Sequence, residues 1–110
     1  FAGAFPLWLA PVQVVILPIS EKFLEPAIKV KDELFKHNIR VELNDENKSL
    51  GGKIRQSTLQ KIPFMIIIGE KELEKGELFV TIRTREGKDL GMVEVNKFIK
   101  QLKFQIENFS

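Results

Sequence analysis

The sequence contains no cysteine and no tyrosine, and it has a single histidine, His37. Without cysteine the chain has neither a disulfide framework nor a thiolate metal site, which suits a reducing compartment. One histidine alone cannot form a metal site, and His37 stands near the end of a predicted helix, where a cation is favoured. The longest apolar run is far too short to span a membrane, and the N-terminus lacks a signal-peptide pattern. We therefore expect a cytoplasmic protein without a membrane partner.

The composition fits one compact domain. At 110 residues and 44% hydrophobic content, the chain can bury a core but is too short for two domains. The formal net charge is only +2. Residues 47–62, however, contain four cations and no acid: Lys48, Lys53, Arg55 and Lys61. A basic patch of this kind is typical of a protein that binds a polyanion.

The basic patch begins with the stretch 47–55, which reads NKSLGGKIR. Gly51 and Gly52 stand in the predicted first turn of a helix, where glycine costs roughly 1 kcal/mol relative to alanine. Their presence suggests that another group approaches the backbone closely. Free N–H groups at a helix start attract anions, and the neighbouring cations strengthen that field. The alternative is a surface helix with a weak first turn.

Hydrophobic periodicity predicts an α/β fold. Strands are expected at 12–17, 39–43, 64–68 and 78–85, with a turn at 86–87 and a second hairpin arm at 88–92. Helices are expected near 25–37, 49–61 and 95–109, whereas residues 70–77 are expected to form a charged loop. Two strand–helix–strand crossovers follow from this order, which supports the α/β class.

The spacing also predicts which side chains share a face. In the helix over 49–61, the residues expected to face the sheet are Leu50, Ile54, Thr58 and Ile62, with Lys53 and Arg55 pointing elsewhere. In the strand over 78–85, one face is expected to carry Phe79, Thr81, Arg83 and Arg85, and the other to face the core.

Motifs for catalysis are missing. The glycines match neither a phosphate-binding loop nor a dinucleotide fingerprint, and the four serines lack a nucleophile elbow. The carboxylates at 70, 72, 74 and 77 fit a solvated acidic loop better than an acid/base pair. We therefore expect no catalytic residue, no cofactor and no metal in this chain.

Four segments together carry a resemblance to a known family. They are FPLWLAPVQVVILPI (5–19), the stretch from NKSLGGKIR onward, IPFMIIIGEKE (62–72) and IRTREGKDLG (82–91). Over nearly all of its length the chain resembles the C-terminal anticodon-binding domain of bacterial-type threonyl-tRNA synthetases. The related prolyl, glycyl and histidyl domains share the APxQV opening but less of the remainder.

The resemblance implies a five-stranded mixed sheet flanked by three helices, the anticodon-binding domain fold of class II aminoacyl-tRNA synthetases. Residues 1–11 would connect to an absent catalytic domain, and 12–110 would form the anticodon-binding domain. The parent enzyme would be a homodimeric threonine–tRNA ligase whose ATP, magnesium and zinc belong to the absent catalytic domain. The isolated domain would be a noncatalytic monomer that binds the anticodon loop of threonine tRNA.

The family's base-contacting residues map onto three positions, and two neighbouring cations are candidates for phosphate contacts. Asn47, Glu72 and Arg83 would contact the second and third anticodon bases, G and U. An arginine can donate a bidentate pair to guanine, and Asn and Glu can complement the edges of unpaired bases. Lys53 and Arg55 would contact phosphates and so set position rather than base preference. The alternative for these two cations is ordinary surface charge.

The chain departs from the family at two positions near this stretch. Glu46 stands where many members have arginine, and Gly52 replaces a bulkier residue, so one tRNA backbone contact of the family is expected to be missing. Two other functions stay open at this point. One is a noncatalytic interaction or accessory module of the same fold, and the other is the anticodon domain of a prolyl-type synthetase.

Overall fold

The computed structural model describes residues 10–46, 49–76 and 78–107, and of residues 106 and 107 the backbone alone. Within these ranges the chain forms five strands, four α-helices and one 3-10 turn at Glu21–Phe23. The strands are β1 (Val14–Pro18), β2 (Val41–Leu43), β3 (Phe64–Ile68), β4 (Phe79–Thr84) and β5 (Asp89–Glu94). The helices are α1 (Leu24–Lys36), α2 (Leu50–Leu59), α3 (Glu70–Lys75) and α4 (Val95–Glu107). Most of the expected connecting segment, 1–11, lies outside the described residues.

The five strands form one mixed sheet in the order β2-β1-β3-β4-β5. β1 is parallel to β2 and β3, because α1 and α2 carry the chain back across the sheet between them. β4 is antiparallel to β3 and to β5, and Gly87, at φ +86°, helps to close the turn between β4 and β5. The predicted α/β class and mixed five-stranded sheet are confirmed.

One face of the sheet, called the closed face, is covered by α1 and α4. Its buried apolar cluster contains Val14, Ile16, Ile66, Ile68, Val80 and Ile82 of the strands and the inward stripes of both helices. Pro26 lies in the first turn of α1, where a missing N–H is tolerated, and Asn38 follows that helix with φ +61°. The predicted bounds of α1 are therefore confirmed to within one residue at each end.

The opposite face, called the open face, carries α2 and α3. Its apolar cluster of described residues is small and contains Val15, Leu17, Ile62 and Met65, with Leu50 and Ile54 of α2 packed against it. Thr81 and Arg83 of β4 lie on this same face, since they pair with Ile67 and Met65 of β3. The open face is thus apolar under α2 and polar along β4.

The predicted inward face of α2 was wrong at Lys53 and at Thr58, and it left out Ser57. Lys53 is only 4% exposed and Ser57 is 1% exposed, whereas Thr58 is exposed to solvent. The inward positions 50, 53, 54 and 57 follow helical spacing, and the Lys53 ammonium group compensates its burial by donating a hydrogen bond of 3.2 Å to the Pro18 carbonyl.

The predicted loop after β3 was also wrong, because residues 70–75 form α3. Gly69 precedes this helix, and the side chain of Glu72 accepts a hydrogen bond from the Gly69 N–H, as a glutamate at the third helical position can do. The charged segment is thereby fixed as a fourth, short helix beside β4.

Candidate nucleic-acid interface

Glu72 is held in a defined orientation between α3 and β4. One carboxylate oxygen, Oε1, accepts a hydrogen bond of 2.7 Å from the backbone N–H of Gly69. The other, Oε2, accepts one of 2.5 Å from the Thr81 hydroxyl. Although it is charged, the residue is only 7% exposed. Buried carboxylates need such donors, so each oxygen of Glu72 has one lone pair satisfied by the protein.

Because Gly69 has no side chain, Ile19 and the Glu72 carboxylate can lie close to its backbone. A Cβ at this position would lie 2.7 Å from Cδ1 of Ile19 and 3.3 Å from Oε1 of Glu72. A larger residue would therefore displace the Ile19 side chain and crowd the carboxylate. The space around position 69 favours glycine, whereas its φ of −149° is ordinary extended backbone that any residue adopts.

Arg83 also lies on the open face, on the same strand as Thr81. It follows Thr81 by two residues on β4, so the two side chains project from the same face about 7 Å apart along the strand. The Nε atom of Arg83 is buried and finds no hydrogen-bond partner among the described residues. Sequence positions 72 and 83 are thus brought to one surface, with Thr81 between them.

The pair can perform one kind of chemistry well. A carboxylate only accepts hydrogen bonds, whereas a guanidinium only donates them. Presented on one surface, the two groups complement a flat group that carries both donors and acceptors on its edge, as an unpaired nucleobase does. The open face therefore offers a surface that can both donate and accept hydrogen bonds.

Asn47 lies outside the described residues, together with Lys48. The residues next to them are described. Ser49 precedes α2, and its hydroxyl accepts a hydrogen bond of 3.1 Å from the Gly52 N–H, so the predicted helix start is confirmed. On the other side, the Asn44 side-chain oxygen accepts a hydrogen bond of 3.1 Å from the Glu46 N–H.

The two cations predicted to bind phosphate lie in different surroundings. Arg55 is exposed on the outer side of α2. Lys53 instead lines a cavity of about 810 Å³ between the segments that follow β1 and β2, near Lys22 and Glu46. The structure therefore does not bring Lys53 and Arg55 to one open surface, and Lys53 can meet a ligand only within that cavity.

Sequence reasoning missed two residues of the interface, Thr81 and Gly69. The alternation of β4 placed Thr81 on the face of Arg83, but its bond to Glu72 depends on where α3 packs. A signal for α3 was present, because a glycine followed three residues later by glutamate can begin a helix.

Searches for two other kinds of site were negative within the described ranges. No group of three or more His, Cys, Asp and Glu side chains there could hold a metal ion. None of the helices in the described part of the chain is long and apolar enough to cross a membrane.

Comparison with known proteins gives one family match and several close relatives. Residues 13–105 match the family model described as the anticodon binding domain. The chain is 54% identical over 102 residues to the threonine–tRNA ligase of Caldanaerobacter subterraneus subsp. tengcongensis, covering 93% of this chain and 16% of that protein. It is 48% identical over 108 residues to the threonine–tRNA ligase of Thermotoga neapolitana, covering 98% and 17%.

A solved structure shows the same fold. The RNA binding domain of threonyl-tRNA synthetase from Cryptosporidium parvum superposes with a TM-score of 0.86 at 30% identity, over 94% of this chain and 26% of that one. The chain thus spans only about a sixth of the curated relatives' length.

Proposed function

This chain belongs to the anticodon-binding domain family, and from that membership we propose that it reads the anticodon of threonine tRNA for a threonine–tRNA ligase. The family expected from the sequence is thereby confirmed. The names of the two curated relatives support threonine tRNA over the prolyl-type alternative.

The observation that carries the proposal is the buried, unpartnered Nε of Arg83. Such an orphan donor is unusual, because more than nine in ten buried polar groups in proteins have a hydrogen-bond partner. Nε itself is covered by the protein, so a ligand would accept hydrogen bonds from the terminal N–H groups of this partly exposed guanidinium. Guanine offers O6 and N7 to an arginine, which makes an unpaired anticodon base a fitting ligand.

Glu72 supplies the complementary acceptor. Its two oxygens each have one bond from the protein, so further lone pairs are available to the donors of a base edge. Asn47 would contact the remaining base from the segment that precedes α2. In this arrangement Glu72, Arg83 and Asn47 together discriminate the second and third anticodon bases.

The basic start of α2 would hold the RNA backbone. The first turn of α2 contains no acid, and Arg55 is exposed for a phosphate contact. Lys53 would reach a phosphate only inside the cavity that it lines. These contacts set the position of the loop, because phosphate carries no sequence information.

The catalytic part of the proposed ligase lies outside this chain. ATP, magnesium and zinc would be bound there, and the homodimer of the parent enzyme would assemble around it. In this proposal, the chain contributes recognition alone.

The test is a titration of this chain with the anticodon stem-loop of threonine tRNA. A matched stem-loop altered at the second and third anticodon bases is titrated beside it, each at two salt concentrations. We expect tighter binding of the cognate loop at both salts, with the preference lost in Arg83→Ala. Equal, salt-sensitive binding of both loops would contradict base reading, and absence of binding would favour a protein-interaction module.

A further inference from the structure

The bond between Thr81 and Glu72 belongs neither to the backbone ladder of the sheet nor to the backbone hydrogen bonds of α3. The threonine hydroxyl belongs to β4, the carboxylate belongs to α3, and nine residues separate them. The other carboxylate oxygen already accepts a hydrogen bond from the Gly69 N–H, and that bond caps the start of α3. The hydroxyl therefore adds a second anchor to a side chain whose helix-capping bond is complete.

We propose that Thr81 is a positioning residue that fixes the Glu72 carboxylate for base discrimination. The inference rests on the proposed function, since it concerns how the same surface selects a base. Glutamate has three rotatable side-chain bonds, and a single hydrogen bond leaves the carboxylate plane free to turn. Two donors on different oxygens remove that freedom, so both oxygens keep fixed acceptor directions.

A fixed pair of acceptors selects one base chemistry. Guanine presents N1–H and the 2-amino group side by side on its Watson–Crick edge, and both can donate to one carboxylate. Adenine presents a bare N1 in the corresponding position, which would face a carboxylate oxygen without a proton between them. Discrimination follows from the unpaired acceptors that the wrong base leaves behind.

Thr81 does not itself contact the base in this proposal. Its single hydroxyl proton is donated to Glu72, and the side chain is only partly exposed. Valine has nearly the same shape without the hydroxyl, and both side chains are restricted at χ1 by their branched Cβ. Thr81→Val therefore removes the anchor and little else, while Thr81→Ser keeps the hydroxyl.

The first arm of the experiment uses the free protein. Amide hydrogen exchange of Gly69, followed by NMR, reports whether Glu72 stays on its helix-capping bond. We expect severalfold faster exchange at Gly69 in Thr81→Val and near wild-type exchange in Thr81→Ser, with thermal unfolding recorded to show that both variants fold. Unchanged protection of Gly69 in a folded Thr81→Val variant would overturn the positioning role without reference to RNA.

The second arm measures dissociation constants for three anticodon stem-loops that carry guanine, inosine or adenine at the second anticodon base. Inosine lacks only the 2-amino group. We expect Thr81→Val to lower the guanine-over-adenine preference on the order of tenfold, as for loss of a hydrogen bond to a charged group. In Thr81→Val, the affinity for the adenine loop and the salt dependence of binding should stay unchanged. The inosine loop should show a preference between those of guanine and adenine. Thr81→Ser should keep the selectivity of the wild-type chain.

A double-mutant cycle shows whether Thr81 acts through Glu72. In the Glu72→Gln background, Thr81→Val is expected to change the preference no further. An equal effect in both backgrounds, or an equal loss for all three loops, would overturn the inference. Lack of guanine preference in the wild-type chain would instead contradict the proposed anticodon reading, while the Gly69 exchange result still decides whether Thr81 positions Glu72.

Discussion

The two faces of the sheet differ in what they bury. Among the described residues, fifteen buried apolar side chains form one cluster beneath α1 and α4 on the closed face, whereas the corresponding cluster on the open face contains four. Of the four buried polar side chains in the described residues, three belong to α2 and α3 of the open face: Lys53, Ser57 and Glu72. Apolar burial is the main source of folding free energy, so the closed face supplies most of the stability and leaves the open face free for recognition.

The largest effect on stability should come from a substitution that creates a cavity in the core of the closed face. Leu34 of α1 is 0% exposed, and Leu34→Ala is expected to lower the free energy of unfolding by about 2–5 kcal/mol in a urea titration. RNA selectivity of the remaining folded protein should not change. The matched control is Leu59→Ala on α2, where the side chain is 74% exposed and the expected change is within about 0.5 kcal/mol. Similar losses for the two variants would contradict the assignment of stability to the closed face.

The next largest effect should be on RNA binding, with little change in stability. Arg83→Ala is expected to weaken binding of the cognate anticodon loop by about 1–3 kcal/mol and to reduce base preference. The free energy of unfolding should stay the same or rise, because the variant removes a buried donor that lacks a partner. Arg85→Ala is the control, since Arg85 lies further along the same face and its guanidinium donates to the Lys61 carbonyl. A larger loss of binding for Arg85→Ala than for Arg83→Ala would relocate the reading site.

The closed face was the more predictable of the two from sequence. Its strands and helices have clear periodicities, and β3 has the predicted bounds of 64–68. On the open face, periodicity assigned Lys53 to solvent, because a lysine is seldom buried unless its ammonium group finds a partner. That partner is the Pro18 carbonyl, which lies 35 residues earlier in the chain. A local pattern carries no information about such a contact.

The same limit applies to the candidate site. The resemblance named Glu72 and Arg83, and the alternation of β4 placed Arg83 and Thr81 on one face. Neither could show that α3 brings Glu72 onto that face, because the segment was predicted to be a loop. The roles of these residues in reading bases, and that of Asn47, stay predictions that the binding measurements test.

A smaller effect on stability is expected at the start of α2. Ser49→Ala removes the side-chain acceptor for the Gly52 N–H and should lower the free energy of unfolding by about 1 kcal/mol. The chain segment that holds Asn47 enters the helix here, so binding of the cognate loop should weaken as well. Ser49→Asp is the control, because aspartate can also accept this bond. If Ser49→Ala lowers stability but leaves RNA binding untouched, the helix start does not take part in recognition.

The smallest effect should come from removing one exposed cation from each face and measuring the salt dependence of RNA binding. Arg55→Ala is expected to change the free energy of unfolding by less than about 0.5 kcal/mol, since the side chain is exposed. It should weaken binding of all stem-loops alike and lower the slope of log affinity against log salt by about 1, as for one lost phosphate contact. Lys100→Ala removes another exposed cation, from α4 on the closed face, and should leave the slope unchanged. Equal slopes for the two variants would mean that RNA is attracted by the net charge of the chain, and that the open face is distinguished by its hydrogen bonds rather than by its field.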